Sequence, residues 1–461
     1  MGRSNLVKPR LVRRMRAIER LRWMCGRDIF CVPMGATDPG MSEEGVRVAM
    51  ADVAGLQCLR CDTLLGVDHF NSDCPSCRDE APSNLTVAYE RAVSPVRPSG
   101  LWSGSNMLWR YGDILPVSLD QAVSLGEGGT PLHSLDRLGA SLELPQLYAK
   151  DESRSPTWSF KDRLACVAVS VAKARGAPAV VSSSTGNAGA AIAAYAAKAD
   201  LPCVVFTAKG GVGPLLTQMR VYGAIVVALE HKSDRWPAMQ EAVERYGWFP
   251  TSPFFAPVVG SNPYGIEGYK TLAYEVVEQL NWQVPDWCIL PVCYGDAMLG
   301  MWRGFLELHA AGWIDRLPRM AAAEIYGSLS AALESGSDAL PDMTMTHDTV
   351  AKSTTATRST YQALHVVRAS GGVATTVGND AIMTWQRRLA EQEGLYAEPA
   401  AAGALAAVAE LRSASHIAPS DRVVALLTAS GLKDTQATAE WWGDKEGAPV
   451  TLDAAAALVE N

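Results

Sequence analysis

Between residues 178 and 207 the pattern of apolar and polar positions changes from that of a strand to that of a helix and back to that of a strand. Pro178–Ser182 is a short apolar run typical of a buried strand, Ala190–Lys198 is rich in helix-forming alanine, and Pro202–Thr207 is a second apolar run. The residues between the first strand and the helix, 183–189, are all small or amide-bearing. This order predicts a βαβ unit in which a turn of small residues lies at the N-terminus of a helix.

Similar apolar runs recur along the chain and predict further strands of an α/β protein. These runs are Asn84–Glu90, Val221–Leu229, Asp286–Val292 and Val423–Thr428. The segment Ser330–Ser359, rich in serine, threonine, aspartate and alanine, is predicted to be a mobile loop. A length of 461 residues exceeds what one hydrophobic core usually organises, so we expect two or more domains.

Lys161 is the strongest catalytic candidate. It follows Phe160 and precedes the apolar periodic run Leu164–Ala174, so it is predicted to start a helix, where the positive end of the helix dipole favours a neutral amine. A neutral, fixed amine can attack an aldehyde. Taken alone, an ordinary solvated lysine at a helix start is the more common case. The turn of small residues one helix later offers backbone N–H groups to an anion, and the two features together favour a site for pyridoxal phosphate (PLP).

Five motifs between residues 56 and 434 resemble, in sequence and in order, those of threonine synthases. They are Gly126–Leu132 (GEGGTPL), Ser159–Arg163 (SFKDR), Ser183–Ala191 (SSTGNAGAA), Ile266–Thr271 (IEGYKT) and Leu427–Asp434 (LTASGLKD). By this resemblance the chain is identified as a divergent member of that family. It implies the fold-type II architecture of PLP enzymes, in which two open α/β domains hold the cofactor in the cleft between them.

The resemblance also implies roles for individual residues. Lys161 would form the Schiff base with PLP, and Phe160 would pack beside the cofactor. Asn187 would bond the ring hydroxyl and Thr428 the pyridine nitrogen. A hydroxyl at that nitrogen favours elimination and replacement chemistry over transamination.

The turn residues are candidates for substrate binding. By the same resemblance, Ser183, Ser184 and Thr185 would bind the carboxylate of an amino-acid substrate. These side chains also suit ordinary turn hydrogen bonds, and they could satisfy both roles.

The chain departs from the family where the cofactor phosphate is expected. Val292–Met298 reads VCYGDAM instead of a run of glycines and asparagines, so Gly295 alone keeps the expected conformational freedom. We expect Tyr294, Gly295, Asp296 and Ala297 to contact the phosphate, mainly through backbone N–H groups. Asp296 is interpreted as a residue that orders the loop, because a free carboxylate would repel a phosphate dianion.

A second departure concerns the substrate. Gly265 stands where the family usually carries an arginine that would grip the phosphate of O-phosphohomoserine by a bidentate pair. Loss of such a contact in a desolvated site is enough to change the preferred substrate. Lys270, Arg163 and Arg358 are the candidates for replacing it.

Four cysteines have the spacing of a metal site. Cys58 and Cys61 form one CxxC pair and, after twelve intervening residues, Cys74 and Cys77 form another, which suits a tetrahedral zinc ribbon. Four incidental thiols are the alternative. A ribbon of this size has no sufficient core of its own, so the zinc is predicted to be structural.

Charge and hydropathy exclude some partners. A net charge of −8 gives no basic field for nucleic acid, and no apolar run reaches the length of about 20 residues that spans a bilayer. The 10 cysteines without a secretory signal indicate a reducing compartment. We therefore expect a soluble cytoplasmic enzyme, and the family resemblance implies a homodimer.

The predicted organisation has four parts. Residues 1–50 form an arginine-rich N-terminal extension, residues 51–92 the zinc-ribbon-like segment, residues 160–261 a small α/β domain, and residues 93–159 with 262–461 a large PLP-binding domain. The extension is interpreted as poorly ordered and without catalytic function. A basic amphipathic helix, a targeting-like sequence and a start codon chosen too early are its open alternatives. The loop Gly126–Leu132 is predicted to close over the substrate.

These inferences predict a PLP-dependent lyase or synthase. Lys161 would remove a proton at Cα of an amino acid that carries a leaving group at Cβ or Cγ. The substrate is predicted to differ from O-phosphohomoserine, as in an enzyme of specialised metabolism. Two alternatives stay open: a genuine threonine synthase that converts O-phosphohomoserine to threonine, and a catalytically silent PLP-fold binding protein. Retention of Lys161, Asn187 and Thr428 argues against the silent protein.

Overall fold

The computed structural model describes residues 53–71, 73–90, 107–209, 213–443 and 451–452. The predicted N-terminal extension, residues 1–50, lies outside the described residues. Within the described ranges no helix is long and apolar enough to cross a bilayer.

The strands alternate with helices through most of the chain. In chain order the strands are β1 (Val53–Cys58), β2 (Leu64–Leu65), β3 (Leu85–Tyr89), β4 (Leu132–Ser134), β5 (Leu147–Asp151), β6 (Val180–Ser183), β7 (Cys203–Ala208), β8 (Ile225–Leu229), β9 (Phe249–Pro250), β10 (Trp287–Pro291), β11 (Arg319–Glu324), β12 (Val373–Thr376) and β13 (Val423–Leu427).

The helices connect these strands. They are α1 (Asp136–Leu142), α2 (Lys161–Ala174), α3 (Asn187–Ala199), α4 (Pro214–Val221), α5 (Arg235–Tyr246), α6 (Pro263–Ile266), α7 (Lys270–Gln279), α8 (Asp296–Ala310), α9 (Ser328–Ser335), α10 (Tyr361–Ala369), α11 (Asn379–Glu393), α12 (Pro399–Ser413) and α13 (Thr435–Trp442).

The larger sheet has the strand order β12-β11-β10-β13-β5-β4. Its pairs are parallel except for β4, which runs antiparallel to β5 at one edge. Successive residues of β10 face opposite sides, so Cys288 and Leu290 join one hydrophobic cluster while Trp287 and Ile289 join another. The sheet is therefore covered on both faces, as parallel sheets in α/β proteins are.

The second sheet is fully parallel, with the order β8-β7-β6-β9. Its strands come from residues 180–250, and Val180 and Val181 of β6 enter two different clusters on its two faces. The two parallel sheets with their helices confirm the mixed α/β, fold-type II class. The exact domain boundaries stay a prediction.

The third sheet, β2-β1-β3, is antiparallel and carries the four cysteines at its end. We call residues 53–89 the ribbon. Leu56 and Leu85 of the ribbon are fully buried in the same cluster as helices α2 and α8. The ribbon thus contributes to the main core of the protein.

Two predicted elements are wrong in part. The predicted strand Val221–Leu229 begins only at Ile225, because Val221 is the last residue of α4 and a turn at Gly223 (φ +85°) separates the two elements. The predicted loop Ser330–Ser359 begins with the end of α9, where Leu329 and Ala332 are buried one helical turn apart.

Candidate active site

Lys161 is the first residue of α2, as its sequence context predicts. The preceding residue is held by the end of β13, because the Phe160 amide donates to the Thr428 carbonyl (2.8 Å). The Lys161 Nζ lies 4.5 Å from the ring centroid of Phe160 and 5.8 Å from that of Tyr269. Among the described residues no carboxylate forms an ion pair with this amine. Lys161 therefore has an aromatic surround and an amine that is not committed to another charge.

Asn187 begins α3 at the end of the small-residue turn. Its Nδ2 donates to Glu398 Oε2 (2.9 Å), while its Oδ1 is buried without a hydrogen-bond partner. The Glu398 amide donates to the carbonyl of Ala429, which follows Thr428 (3.0 Å). Two backbone hydrogen bonds and one between side chains thus connect Lys161, Asn187 and Thr428 through their neighbours, although 267 positions separate Lys161 from Thr428. A buried carbonyl oxygen without a donor is suited to the ring hydroxyl of PLP.

The turn before α3 is partly occupied by its own hydrogen bonds. The Ser184 Oγ accepts from the amides of Gly186 (3.2 Å) and Gly189 (3.0 Å), so this side chain caps the start of the helix. The Ser183 Oγ is buried without a partner, and Thr185 is exposed. The substrate-binding role of the three residues stays a prediction.

We call residues 293–297 the phosphate loop, after its predicted role. Gly295 has φ +75°, and a Cβ at this position would lie 2.6 Å from the Ala363 Cβ, so the loop requires glycine here. Asp296 starts α8, whose first-turn N–H groups have no intrahelical partner and can bind an anion.

The Asp296 carboxylate is used within the structure. It accepts from Ser261 N (3.0 Å), Ser261 Oγ (2.6 Å) and Gln362 Nε2 (2.7 Å). Its negative charge is therefore distributed over three donors. This arrangement permits an acidic residue in a loop that is expected to approach a phosphate.

Two candidates for the missing arginine are committed elsewhere. Arg163 is fully buried and pairs with Glu152 (2.8 Å) and Glu275 (2.7 Å). Burial opposes its charge, yet the two carboxylates outweigh burial and raise the pKa of Arg163 well above its ordinary value. Lys270 is also fully buried and pairs with Glu267 (2.7 Å). These ion pairs argue against the hypothesis that Arg163 or Lys270 reaches the substrate.

Gly265 has a packing role. A Cβ at this position would lie 2.9 Å from Leu164 Cγ and 3.2 Å from Ala168 Cβ, both on α2. An arginine would have to push the Leu164 side chain aside and would crowd the Leu164 backbone oxygen (3.2 Å), on the helix that also carries Lys161. Arg358, the remaining candidate, is exposed.

Three buried ionisable groups near the predicted cofactor residues have no role predicted from the sequence: Asp162, Glu398 and Lys433. Burial raises the pKa of Asp162 to about 7, against hydrogen bonds from Thr157 that lower it. Burial lowers the pKa of Lys433 to about 8, and raises the pKa of Glu398. Lys433 lies within the motif Leu427–Asp434, so the sequence does contain a signal for this residue. Glu398 directly precedes Pro399 at a helix start, which is a weak signal for a capping position.

The four cysteines of the ribbon lie together. Their Sγ atoms are all within 4.8 Å of one another, with Cys58 and Cys77 3.9 Å apart and Cys61 and Cys74 3.6 Å apart. Four sulfur ligands at these distances have the composition of a tetrahedral site.

Comparison with known proteins decides the family. The model of the family described as pyridoxal-phosphate dependent enzymes matches residues 123–429. Threonine synthase of Methanocaldococcus jannaschii is 33% identical over 393 residues, which cover 83% of this chain and 93% of the relative. That of Methanosarcina acetivorans is 32% identical over 395 residues, with 83% and 92% coverage.

This chain belongs to the threonine synthase family.

Solved structures agree with the fold of this threonine synthase family member. A fungal L-serine ammonia-lyase from Rhizomucor miehei has a TM-score of 0.58 at 20% identity, covering 70% of this chain and 99% of that one. Maize serine racemase has a TM-score of 0.56 at 20% identity, covering 68% and 91%. The chain is a PLP-dependent enzyme of the lyase or synthase type, and the free Lys161 amine with the unpartnered Asn187 oxygen fits that cofactor.

Proposed function

We propose that this enzyme catalyses elimination or replacement on an amino acid that carries a leaving group without phosphate at Cβ or Cγ. The observation that carries the proposal is the packing of Gly265 against Leu164, together with the burial of Arg163 in ion pairs. An arginine at position 265 would collide with Leu164, and two of the three candidate substitutes, Arg163 and Lys270, are engaged in buried ion pairs. A phosphate dianion brought into such a site would lose hydration without a compensating cation.

Lys161 is the residue that we assign to proton transfer. PLP, when bound, supplies the electron sink that makes the Cα proton of an amino acid removable. The Lys161 Nζ would hold PLP and then take this proton, because the amine has no carboxylate partner among the described residues. Asn187 would orient the ring through its buried Oδ1, and Thr428 would contact the ring nitrogen. Ser183, whose hydroxyl is unpartnered, would bind the substrate carboxylate.

A titration of the visible absorption band with two matched compounds tests the proposal. O-phosphohomoserine and O-acetylhomoserine share a carbon skeleton and differ in the charge of the leaving group. We expect the acetyl compound to change the band and to be consumed, and O-phosphohomoserine to leave the band unchanged at equal concentration. A genuine threonine synthase would show the reverse, with threonine as the product. Absence of a band with PLP supplied would favour the silent binding protein.

We also propose that the ribbon holds a structural zinc ion. The supporting observation is the cluster of four sulfur atoms at the end of the antiparallel sheet. The Cys58→Ala, Cys74→Ala double variant should lose the metal found in the wild type by elemental analysis. A Cys203→Ala, Cys288→Ala variant removes two thiols outside the cluster and should retain the metal. Equal metal content in the two double variants would refute the zinc site.

A further inference from the structure

Hydrogen bonds from both cysteine pairs converge on one short segment of the ribbon. The amide of Leu59, which follows Cys58, donates to the Asn84 carbonyl (3.2 Å). The amide of Cys74 donates to the Ser83 carbonyl (3.2 Å). The position of residues 83–84 therefore depends on the geometry of both CxxC turns.

From this segment one side-chain contact leads to the phosphate loop. The Asn84 Nδ2 donates to Gln362 Oε1 (2.8 Å), and both side chains are buried. The Gln362 Nε2 donates in turn to the Tyr294 carbonyl (2.6 Å) and to Asp296 Oδ1 (2.7 Å). The two acceptors on the loop fix the orientation of the Gln362 side-chain amide. In this orientation the Gln362 Oε1 faces the ribbon, where it accepts the hydrogen bond from Asn84.

Neighbouring contacts strengthen the same connection. The Arg60 guanidinium, within the first CxxC turn, lies 3.6 Å from the ring centroid of Tyr361. The Thr360 Oγ1 donates to the Tyr294 carbonyl (2.6 Å). The start of α10 is thus held by the ribbon on one side and holds the phosphate loop on the other.

We propose that Asn84 and Gln362 are positioning residues through which a metal at the cysteine cluster sets the affinity of the phosphate loop for PLP. This inference rests on the proposed function. Without metal, the ribbon loses the coordination bonds that would hold its two CxxC turns in place. Asn84 then no longer orders the Gln362 amide, and Asp296 loses one of its three donors beside the expected phosphate.

The test measures the PLP dissociation constant, which does not depend on turnover. The full-length protein, stripped of PLP, is titrated with PLP at its visible band, once loaded with Zn²⁺ and once after chelation. We expect chelation to weaken PLP binding about tenfold in the wild type. In Asn84→Ala the loaded protein should already bind PLP more weakly, and chelation should change its affinity less than about twofold. By linkage, PLP should raise the Zn²⁺ affinity of the wild type by the same factor.

Tyr89→Phe is the matched control, since the Tyr89 hydroxyl also joins the ribbon to the body, through Glu267 Oε2 (2.7 Å), but makes no contact with the phosphate loop. It should keep the full response to chelation. Equal responses in the wild type and Asn84→Ala, or a dissociation constant that is independent of metal in the wild type, would overturn the inference alone. Absence of any visible band in the Zn²⁺-loaded wild type would overturn the proposed function and this inference with it.

Discussion

At the scale of single residues, Gly265 is the position at which this site departs from the arginine that the family resemblance implies. A Cβ at position 265 would lie 2.9 Å from Leu164 Cγ, so the lack of a side chain at Gly265 allows its close packing against the helix that carries Lys161. Burial raises the pKa of Asp162, the residue after Lys161, to about 7, and it lowers the pKa of Lys433 to about 8. The packing at Gly265 supports the proposal that the leaving group of the substrate carries no phosphate.

Gly265→Arg should therefore not restore activity on O-phosphohomoserine. The new side chain collides with Leu164, so we expect thermal unfolding at a lower temperature and a loss of about 2 kcal/mol in the free energy of unfolding. Gly378→Arg is the control, because position 378 has a negative φ and open space around it. A rise in kcat/KM for O-phosphohomoserine in Gly265→Arg would contradict this account of the site.

Asp162 should make stability depend on pH. Its pKa in the folded protein, raised to about 7 chiefly by burial, lies above the ordinary value of 3.8, so between these values the folded state holds a proton that the unfolded state has lost. The free energy of unfolding should fall as pH rises from about 4 to about 7, by up to about 1.4 kcal/mol per pH unit.

Asp162→Asn should lack this contribution, and chemical denaturation across that pH range measures the difference. Asp315→Asn, an exposed carboxylate, should retain the wild-type slope. Parallel profiles for the wild type and Asp162→Asn would show that Asp162 is ionised in the folded state.

At the scale of elements, the predicted site residues lie at the beginnings of three helices. Helix α2 begins at Lys161, α3 at Asn187 and α8 at Asp296, and each follows a segment that holds its first turn in place. Helix N-termini carry positive partial charge and free N–H groups, so such an arrangement is suited to an anionic cofactor.

The turn into α8 supplies the sharpest test at this scale. Gly295→Ala adds a Cβ at φ +75° and 2.6 Å from Ala363, so it combines backbone strain with a collision. We expect a loss of about 2 kcal/mol or more in the free energy of unfolding, and weaker PLP binding. Gly336→Ala has a similar φ (+65°) with open space, so it should show the strain alone, about 1 kcal/mol. Equal losses of unfolding free energy in the two variants would contradict the claim that the close approach of the loop to Ala363 of α10 adds to the backbone strain.

Elements with a clear period could be predicted from the sequence, and contacts between distant segments could not. The helix start at Lys161 and the strand ending at Leu427 follow from local apolar patterns. The apolar pattern assigns Val221 to a strand because the apolar run continues from the end of α4 into β8, and only the turn at Gly223 separates the two elements. Glu398 reaches Asn187 from 211 positions away, and no local signal announces such a contact.

At the scale of the whole molecule, two parallel sheets carry the predicted catalytic residues and the ribbon shares their core. Lys161 and Thr428 lie beside the larger sheet, whereas Asn187 follows β6 of the smaller one. Any change in how these segments approach one another would alter the contact between Asn187 and Glu398. The homodimer and the cytoplasmic location stay predictions.

The most direct measurement of the central claim is to find which residue holds PLP. The purified protein is loaded with PLP, reduced with borohydride, and digested for peptide mass mapping. The account predicts PLP on Lys161 in the wild type and in Lys173→Ala, an exposed lysine of the same helix, and none on Lys161→Ala. PLP on another lysine, or no retained PLP in the wild type, would contradict it.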